Sequence, residues 1–302
     1  MNNKLKKKIL DILEWKEYYK RHFVNPEKYV PRMFYNRIGY KLNLKNPQTF
    51  SEKLQWMKLY DHNPLYTKLV DKYEVKKYIA NKIGSQYIIP TLEVWDKVED
   101  IDFNSLPNQF VLKCTHDSGG LVICKDKSKL NIKKAKKILR KSMRRNFYYM
   151  GFEWPYKDIK PRIIAEKYME DTKTKELRDY KFFCFNGEVK ALFIATERQK
   201  EGVDVKFDFF DVDFNHLPFK QGHENARILP EKPLRFNDMK HLAAILSKGL
   251  PQVRVDFYEV DGNIYFGEMT FFHHGGWTRF EPSEWDTIFG KWITLPIEVS
   301  NH

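Results

Sequence analysis

Two hydrophobic rhythms alternate along the chain. Short strand-like runs include the apolar Phe110-Val-Leu-Lys-Cys114 and Ile163-Ile-Ala-Glu-Lys167 and the alternating Val205-Lys-Phe-Asp-Phe-Phe210. Two further stretches, 178–192 and 253–270, are each split by a turn, Asn186-Gly187 in the first and Asp261-Gly262-Asn263 in the second. Such turns between apolar alternations specify hairpins. Residues 87–95 read as another strand, with Pro90 marking an edge or a bend. Segments of helical period lie between. Residues 3–22 set Leu5, Ile9, Ile12 and Leu13 against Lys4, Lys6, Lys7 and Lys8. Ser51 is expected to cap a helix from Glu52 onward, and residues 66–83 to form one lysine-rich helix closed by Gly84. Ile132, Ala135, Ile138, Leu139 and Met143 stripe a helix within 125–145, and a last helix is expected at 237–248. The pattern predicts a mixed chain of the α/β (α+β) class.

Composition adds class and compartment. With 302 residues, 42% apolar and 31% charged, the chain suits a globular protein of one large or two ordinary domains. Three cysteines, an odd number without metal-ligand spacing, argue against a disulfide framework or a zinc site and read as buried thiols. No apolar run nears the roughly 18 residues of a membrane span, and the N-terminus lacks a signal-peptide core, so a cytoplasmic protein is expected. The net charge is +13, of which +10 falls in 125–145, where eleven Lys and Arg face Asp126 alone. A field of that sign attracts polyanions. No helix-turn-helix, zinc-finger or RNP pattern accompanies it, so nucleic acid is not expected as a partner.

Candidate chemistry sits in two places. After the strand carrying Lys113, the loop His116-Asp-Ser-Gly-Gly120 leaves the N–H groups of Ser118, Gly119 and Gly120 free to approach an anion. In the hairpin at 253–270, side-chain alternation is expected to put Arg254 and Asp256 on one face with Glu268 and Thr270, oxygen donors of the kind magnesium takes. Either half alone is unspecific. Glycine pairs follow many strands, and carboxylates line many wet sheet faces.

The order of the parts is more telling. A lysine strand, a strand with Glu166-Lys167, a hairpin bearing Lys181, then Arg-x-Asp and Glu-x-Thr resemble the ATP-grasp superfamily. Within it they resemble the TupA-like group, found in bacterial gene clusters for teichuronopeptide, capsule and other surface polysaccharides. The resemblance spans about residues 65 to 300. It implies an ATP-grasp fold, with a helical N-terminal region at 1–62, a first subdomain at 63–160 carrying the phosphate loop, and a second at 161–302 carrying hinge and metal site. ATP and Mg2+ are the implied cofactors. Lys113 would contact the α- and β-phosphates, and the loop from His116 to Gly120, with Ser118 and Gly119, would be a flap over the triphosphate. Glu166 and the backbone of Lys167 and Met169 would meet adenine. Lys181 would be a second phosphate lysine, Arg254 would steady the γ-phosphate, and Asp256 and Glu268 would hold magnesium. Thr270 stands where the superfamily commonly has asparagine. Lys72 would lean toward the nucleotide, and Glu170 or Asp171 would take the ribose. His273, His274 and Arg279 are candidates for the acceptor site.

The implied activity is that of a carboxylate–amine ligase working through an acylphosphate, amidating a uronic acid or coupling an amino acid to a surface glycan. Its partners would be a small carboxylate and an amine or acidic glycan acceptor, with contact to an anionic membrane at the inner face of the plasma membrane left open. Three other readings stay open. One is a glycosyltransferase, for which Asp211-Val-Asp213 offers an Asp-x-Asp; one is a kinase of the same fold; one is a non-catalytic polymer-binding module.

Overall fold

The computed structural model describes residues 15–16, 18–174, 177–197 and 203–296. Most of the helix expected at 3–22, including its Leu5, Ile9, Ile12 and Leu13 stripe, lies outside the described residues.

Asn25 opens helix α1 (Pro26–Ile38) by accepting from Glu27 N. The next helix, α2 (Phe50–Tyr60), is capped by Thr49 rather than Ser51, because Thr49 and Glu52 close a reciprocal capping box. Ser51 sits inside the helix, with its N–H given to Asp286. The single helix expected at 66–83 is two, α3 (Leu65–Val70) and α4 (Glu74–Lys82). Asp71 breaks it. Its carboxylate accepts from Tyr73 N and Glu74 N, starting α4 afresh, while Lys72 N bonds Thr115 O. The break turns Lys72 toward the sheets.

The first sheet has the order β1 (Thr91–Trp95), β4 (Ile163–Lys167), β2 (Phe110–Cys114), β3 (Leu121–Cys124), all antiparallel. Thus β4, on the far side of the subdomain boundary expected at 160/161, pairs into the first sheet. Helix α5 (Ile132–Met143) covers one face through Ala135 and Leu139, which pack with Phe110 and Leu112. Alternation along β2 then aims Val111 and Lys113 at the opposite face. Short helix α6 (Tyr148–Gly151) and a turn at Trp154–Tyr156 lead back to β4.

In the second sheet the order is β10 (Asn263–Thr270), β9 (Val253–Val260), β5 (Asp179–Phe185), β6 (Glu188–Thr196), β7 (Lys206–Phe210). Both hairpins expected from Asn186-Gly187 and Asp261-Gly262 are present. Helix α7 (Phe236–Ser247) backs this sheet, Phe236 lying 6.1 Å from Phe182. Strands β8 (Lys220–Gln221) and β11 (Phe280–Glu281) form a small ladder, and α8 (Glu284–Trp292) sets Phe289 into an aromatic core with Phe50, Phe183 and Phe219. That core also takes Tyr66, Leu69, Val75 and Ile79, so α3 and α4 pack on the second sheet although they precede the first in the chain. All three cysteines are buried and free. Among the described residues, no helix is long and apolar enough to cross a membrane.

Candidate active site

Strand register builds the polar end of the cleft. Lys181 on β5 lies opposite Asp256 on β9, which lies opposite Glu268 on β10; one step along, Arg254 lies opposite Thr270. Simple alternation does not deliver this arrangement, because Phe266 and Glu268 are two apart, yet they lie opposite the consecutive residues Phe257 and Asp256. A bulge between them shifts the phase: Phe266 pairs with Phe257 and Glu268 with Asp256, leaving Gly267 as the extra residue. Its position is tight. A Cβ there would meet Asp256 O at 3.1 Å and the Tyr258 ring at 3.2 Å.

Charges in this cluster are closely matched. Arg254 Nε donates to Asp256 Oδ1 at 2.7 Å and Nη2 to Oδ2 at 2.8 Å, a bidentate pair, with Nη2 also reaching Glu268 and Thr270 at 3.0 Å each. Lys181 donates to Asp256 as well and lies 3.5 Å from Asp179. Burial pulls the Lys181 ammonium below its usual range, against the raising pull of Asp256. For Glu268, burial alone would raise the carboxyl, but Lys181, Arg254 and Lys72 outweigh it and bring it to about 2. Its side chain is 44% exposed, so this acid is ionised and accessible from the cleft.

His273 is buried behind Arg254. Its Nδ1 accepts from Arg254 Nη1 at 2.8 Å, which leaves Nε2–H to donate to Gln221 Oε1 at 3.0 Å. Burial holds the imidazole neutral, as an acceptor from arginine requires. It therefore orients Arg254 from behind. His274 is half-buried with φ 49°, its ring beside Phe207 and His223. Arg279 points elsewhere: Nε donates to Arg37 O at 3.0 Å, at the C-terminal end of α1.

On the facing sheet, Glu166 is buried between Lys76 at 2.5 Å and Lys113 at 2.7 Å. Burial works against its charge, but the two lysines win and hold the carboxyl below its ordinary value. Lys72 donates to Asp117 O at 2.7 Å. The loop from His116 to Gly120 is anchored at its base: Asp117 receives Ser142 Oγ at 2.5 Å and Arg145 Nη2 at 2.6 Å, and His116 Nε2 sits 3.2 Å from Ser142 O. Ser118 and Gly119 remain at the surface. Lys72, Lys76, Lys113, Ser118, Gly120, Glu166, Asp179, Lys181 and Glu268 line one cleft of about 250 Å³. A more apolar recess of about 240 Å³ continues from it, walled by Val111, Ile123, Lys167, Met169, Leu177 and Tyr258. Lys167 N is already given to Pro90 O at 3.0 Å.

Most of the expected nucleotide and metal residues thus converge. The two acids considered for ribose do not face the cleft chemistry: Glu170 takes Lys125 and Tyr168, and Asp171 ties Thr174 to the turn at Asp261. Asp179 lines the cleft in their place. Its signal in the sequence was its position two residues before Lys181, hence on the same strand face. Lys76 was also missed. Asp208 is fully buried and accepts Ala226 N at 3.1 Å. Asp211 closes a turn onto Asp213 N and Asn215 N, which occupies the Asp-x-Asp pair locally.

A sequence model described as TupA-like ATPgrasp matches residues 52–294. The chain belongs to the TupA-like ATP-grasp family. No curated protein matches it. Solved structures similar to it include the D-alanine–D-alanine ligase from Bacillus anthracis complexed with ATP, at 17% identity over 67% of this chain and 53% of that one, TM-score 0.39. The L-amino acid ligase from Bacillus licheniformis shows 11% identity over 84% and 57%, TM-score 0.44. The ADP complex of PurK, an N5-carboxyaminoimidazole ribonucleotide synthetase, shows 15% over 73% and 50%, TM-score 0.44. The chain spans little more than half the length of these proteins.

Two variants test the charge cluster. Asp256→Asn leaves Arg254 and Lys181 without their shared anion and is expected to cost about 3–5 kcal/mol in urea unfolding. Gly267→Val has no room at the bulge and is expected to lower stability by about 1–3 kcal/mol, with a chemical-shift or crystallographic change confined to β9 and β10.

Proposed function

We propose that this protein is an ATP-dependent ligase that joins a carboxylate to an amine through an acylphosphate, and that its product is an amide on a bacterial surface glycan of the capsular or teichuronopeptide type. The convergence of four lysines and the ionised Glu166 and Glu268 on one cleft that ends in an apolar recess, with Arg254 hydrogen-bonded to Glu268, carries this reading.

In it, the base occupies the recess between Val111 and Met169, beside Glu166, and Asp179 takes the ribose. Lys72, Lys113 and Lys181 face the triphosphate, offsetting its charge in a site largely withdrawn from water. Binding would draw Lys113 from Glu166 toward phosphate. Asp256 and Glu268, side by side across the hairpin, would hold a magnesium ion once bound phosphate draws Lys181 from Asp256, and the Thr270 hydroxyl adds a third oxygen 3.4 Å from Glu268. When bound, magnesium would neutralise phosphate charge and align the transfer. Arg254, held by Asp256 and His273, steadies the γ-phosphate as a carboxylate oxygen of the substrate attacks phosphorus and the bond to the β-phosphate oxygen breaks, releasing ADP. The amine lone pair then attacks the acyl carbon, phosphate leaves, and the amine gives up one proton. Exclusion of water by the loop over Ser118 and Gly119 protects the acylphosphate.

The acid is a uronic acid or an amino acid, and the enzyme works in the cytoplasm. The test is magnesium-dependent ATP turnover across a panel of uronic acids and amino acids, with products resolved. ADP formed only when acid and amine are both present, with kcat lowered about a hundredfold or more in Glu268→Gln, is the expected result. A stable phosphorylated product from one substrate would make the protein a kinase. Stabilisation by a nucleotide sugar but not by ATP would replace the ligase reading with a glycosyltransferase.

A further inference from the structure

Away from the cleft, one surface combines exposed aromatic side chains with dense positive charge. Among the described residues, Tyr18, Arg21 and His22 dock this segment on 146–150. Tyr18 is buried and its hydroxyl accepts Asn146 N at 2.9 Å, Arg21 Nη1 donates to Tyr149 O at 3.2 Å and Met150 O at 2.5 Å, and the His22 ring stacks on Tyr149 at 3.6 Å. The other side carries Trp15, Tyr19 and Phe23, at helical spacing, around a shallow groove flanked by Lys16 and Lys20. Tyr19 is 59% exposed and Phe23 91%. Its docking site, residues 146–150, directly follows Arg144 and Arg145 at the end of α5, so the segment is tied to the chain immediately after the basic helix. Lys133, Lys134, Lys137 and Arg144 are exposed there, while Ala135 and Leu139 hold the helix to its sheet.

We propose that this face docks on an anionic lipid bilayer, with Trp15, Tyr19 and Phe23 entering the interface and the α5 lysines meeting the headgroup charge. A soluble polyanion would satisfy the lysines and leave Tyr19 and Phe23 in water, with Trp15 half-buried beside them. An anionic bilayer satisfies both, since aromatic rings settle at the headgroup level and basic residues are drawn to its negative potential. The geometry leaves the cleft clear. Helix α5 covers the face of β2 that bears Phe110 and Leu112, and Lys113 faces the other way. This proposal stands independently of the ligase reading.

The experiment is sedimentation of the full chain with phosphatidylcholine vesicles, with and without phosphatidylglycerol, at low and high salt. Binding is expected only with phosphatidylglycerol, weakening as salt rises. Each basic residue near the surface contributes about fivefold to the partition coefficient, so Lys133→Glu with Lys137→Glu is expected to lower it by about twentyfold or more. Tyr19→Ser with Phe23→Ser is expected to abolish sedimentation; if that pair lowers the melting temperature, Phe23→Ser alone decides, its side chain being almost wholly in solvent. Absence of binding at low salt overturns the proposal. So does vesicle binding that ignores the aromatic substitutions, which would mark a polyanion site, and so does a concentration-dependent dimer that Phe23→Ser dissolves without any vesicle binding.

Discussion

Arg254 and Lys181 are both withdrawn from water and both paired with Asp256, with Glu268 as a second anion on Arg254, and the site around them depends on keeping those charges balanced. Burying cations in a sheet is costly unless geometry and hydrogen bonding repay it. Here three neighbouring strands supply the geometry through register alone: β5 brings Lys181, β9 brings Arg254 and Asp256, β10 brings Glu268 and Thr270. His273 completes the shell by accepting Arg254 Nη1 in its neutral form. Glu268 is left partly exposed and ionised, and with Asp179 it lines the cleft.

The opposite wall answers with a complementary arrangement. Glu166 separates Lys76 from Lys113, so the lysines are held in place by an anion that a phosphate can replace. Lys72 reaches the cleft because Asp71 interrupts the helix before it. Asp117, clamped by Arg145 and Ser142, fixes the base of the glycine loop and leaves its tip exposed. Cations therefore face one another across a cleft whose far end is apolar, a distribution suited to a nucleotide with a polyanionic tail and a flat base.

Much of this was legible in the sequence. Turn chemistry at Asn186-Gly187 and Asp261-Gly262 announced both hairpins, and the spacing of Arg254, Asp256, Glu268 and Thr270 announced the polar face. What sequence could not supply came from tertiary constraints. Strict alternation cannot set Phe266 and Glu268 opposite the consecutive residues Phe257 and Asp256; the bulge at Gly267 does, and a lone glycine in a strand only hints at it. The helix break at Asp71 is a competition between a side-chain cap and helix propagation that composition alone left undecided. Glu170 and Asp171 looked suited to ribose by position along the chain, but each is drawn to a local partner, whereas Asp179 is aligned by strand pairing. Arg279 was placed near the acceptor by its proximity to His273 in sequence, yet the turn at His273–Gly276 carries it away to Arg37.

The most direct measurement is a crystal structure with magnesium and a non-hydrolysable ATP analogue. The account predicts phosphates among Lys72, Lys113 and Lys181, a metal ion between Asp256 and Glu268, the base beside Val111 and Met169, and Lys113 parted from Glu166. A nucleotide seated elsewhere, or Asp256 and Glu268 remote from both metal and phosphate, would contradict it.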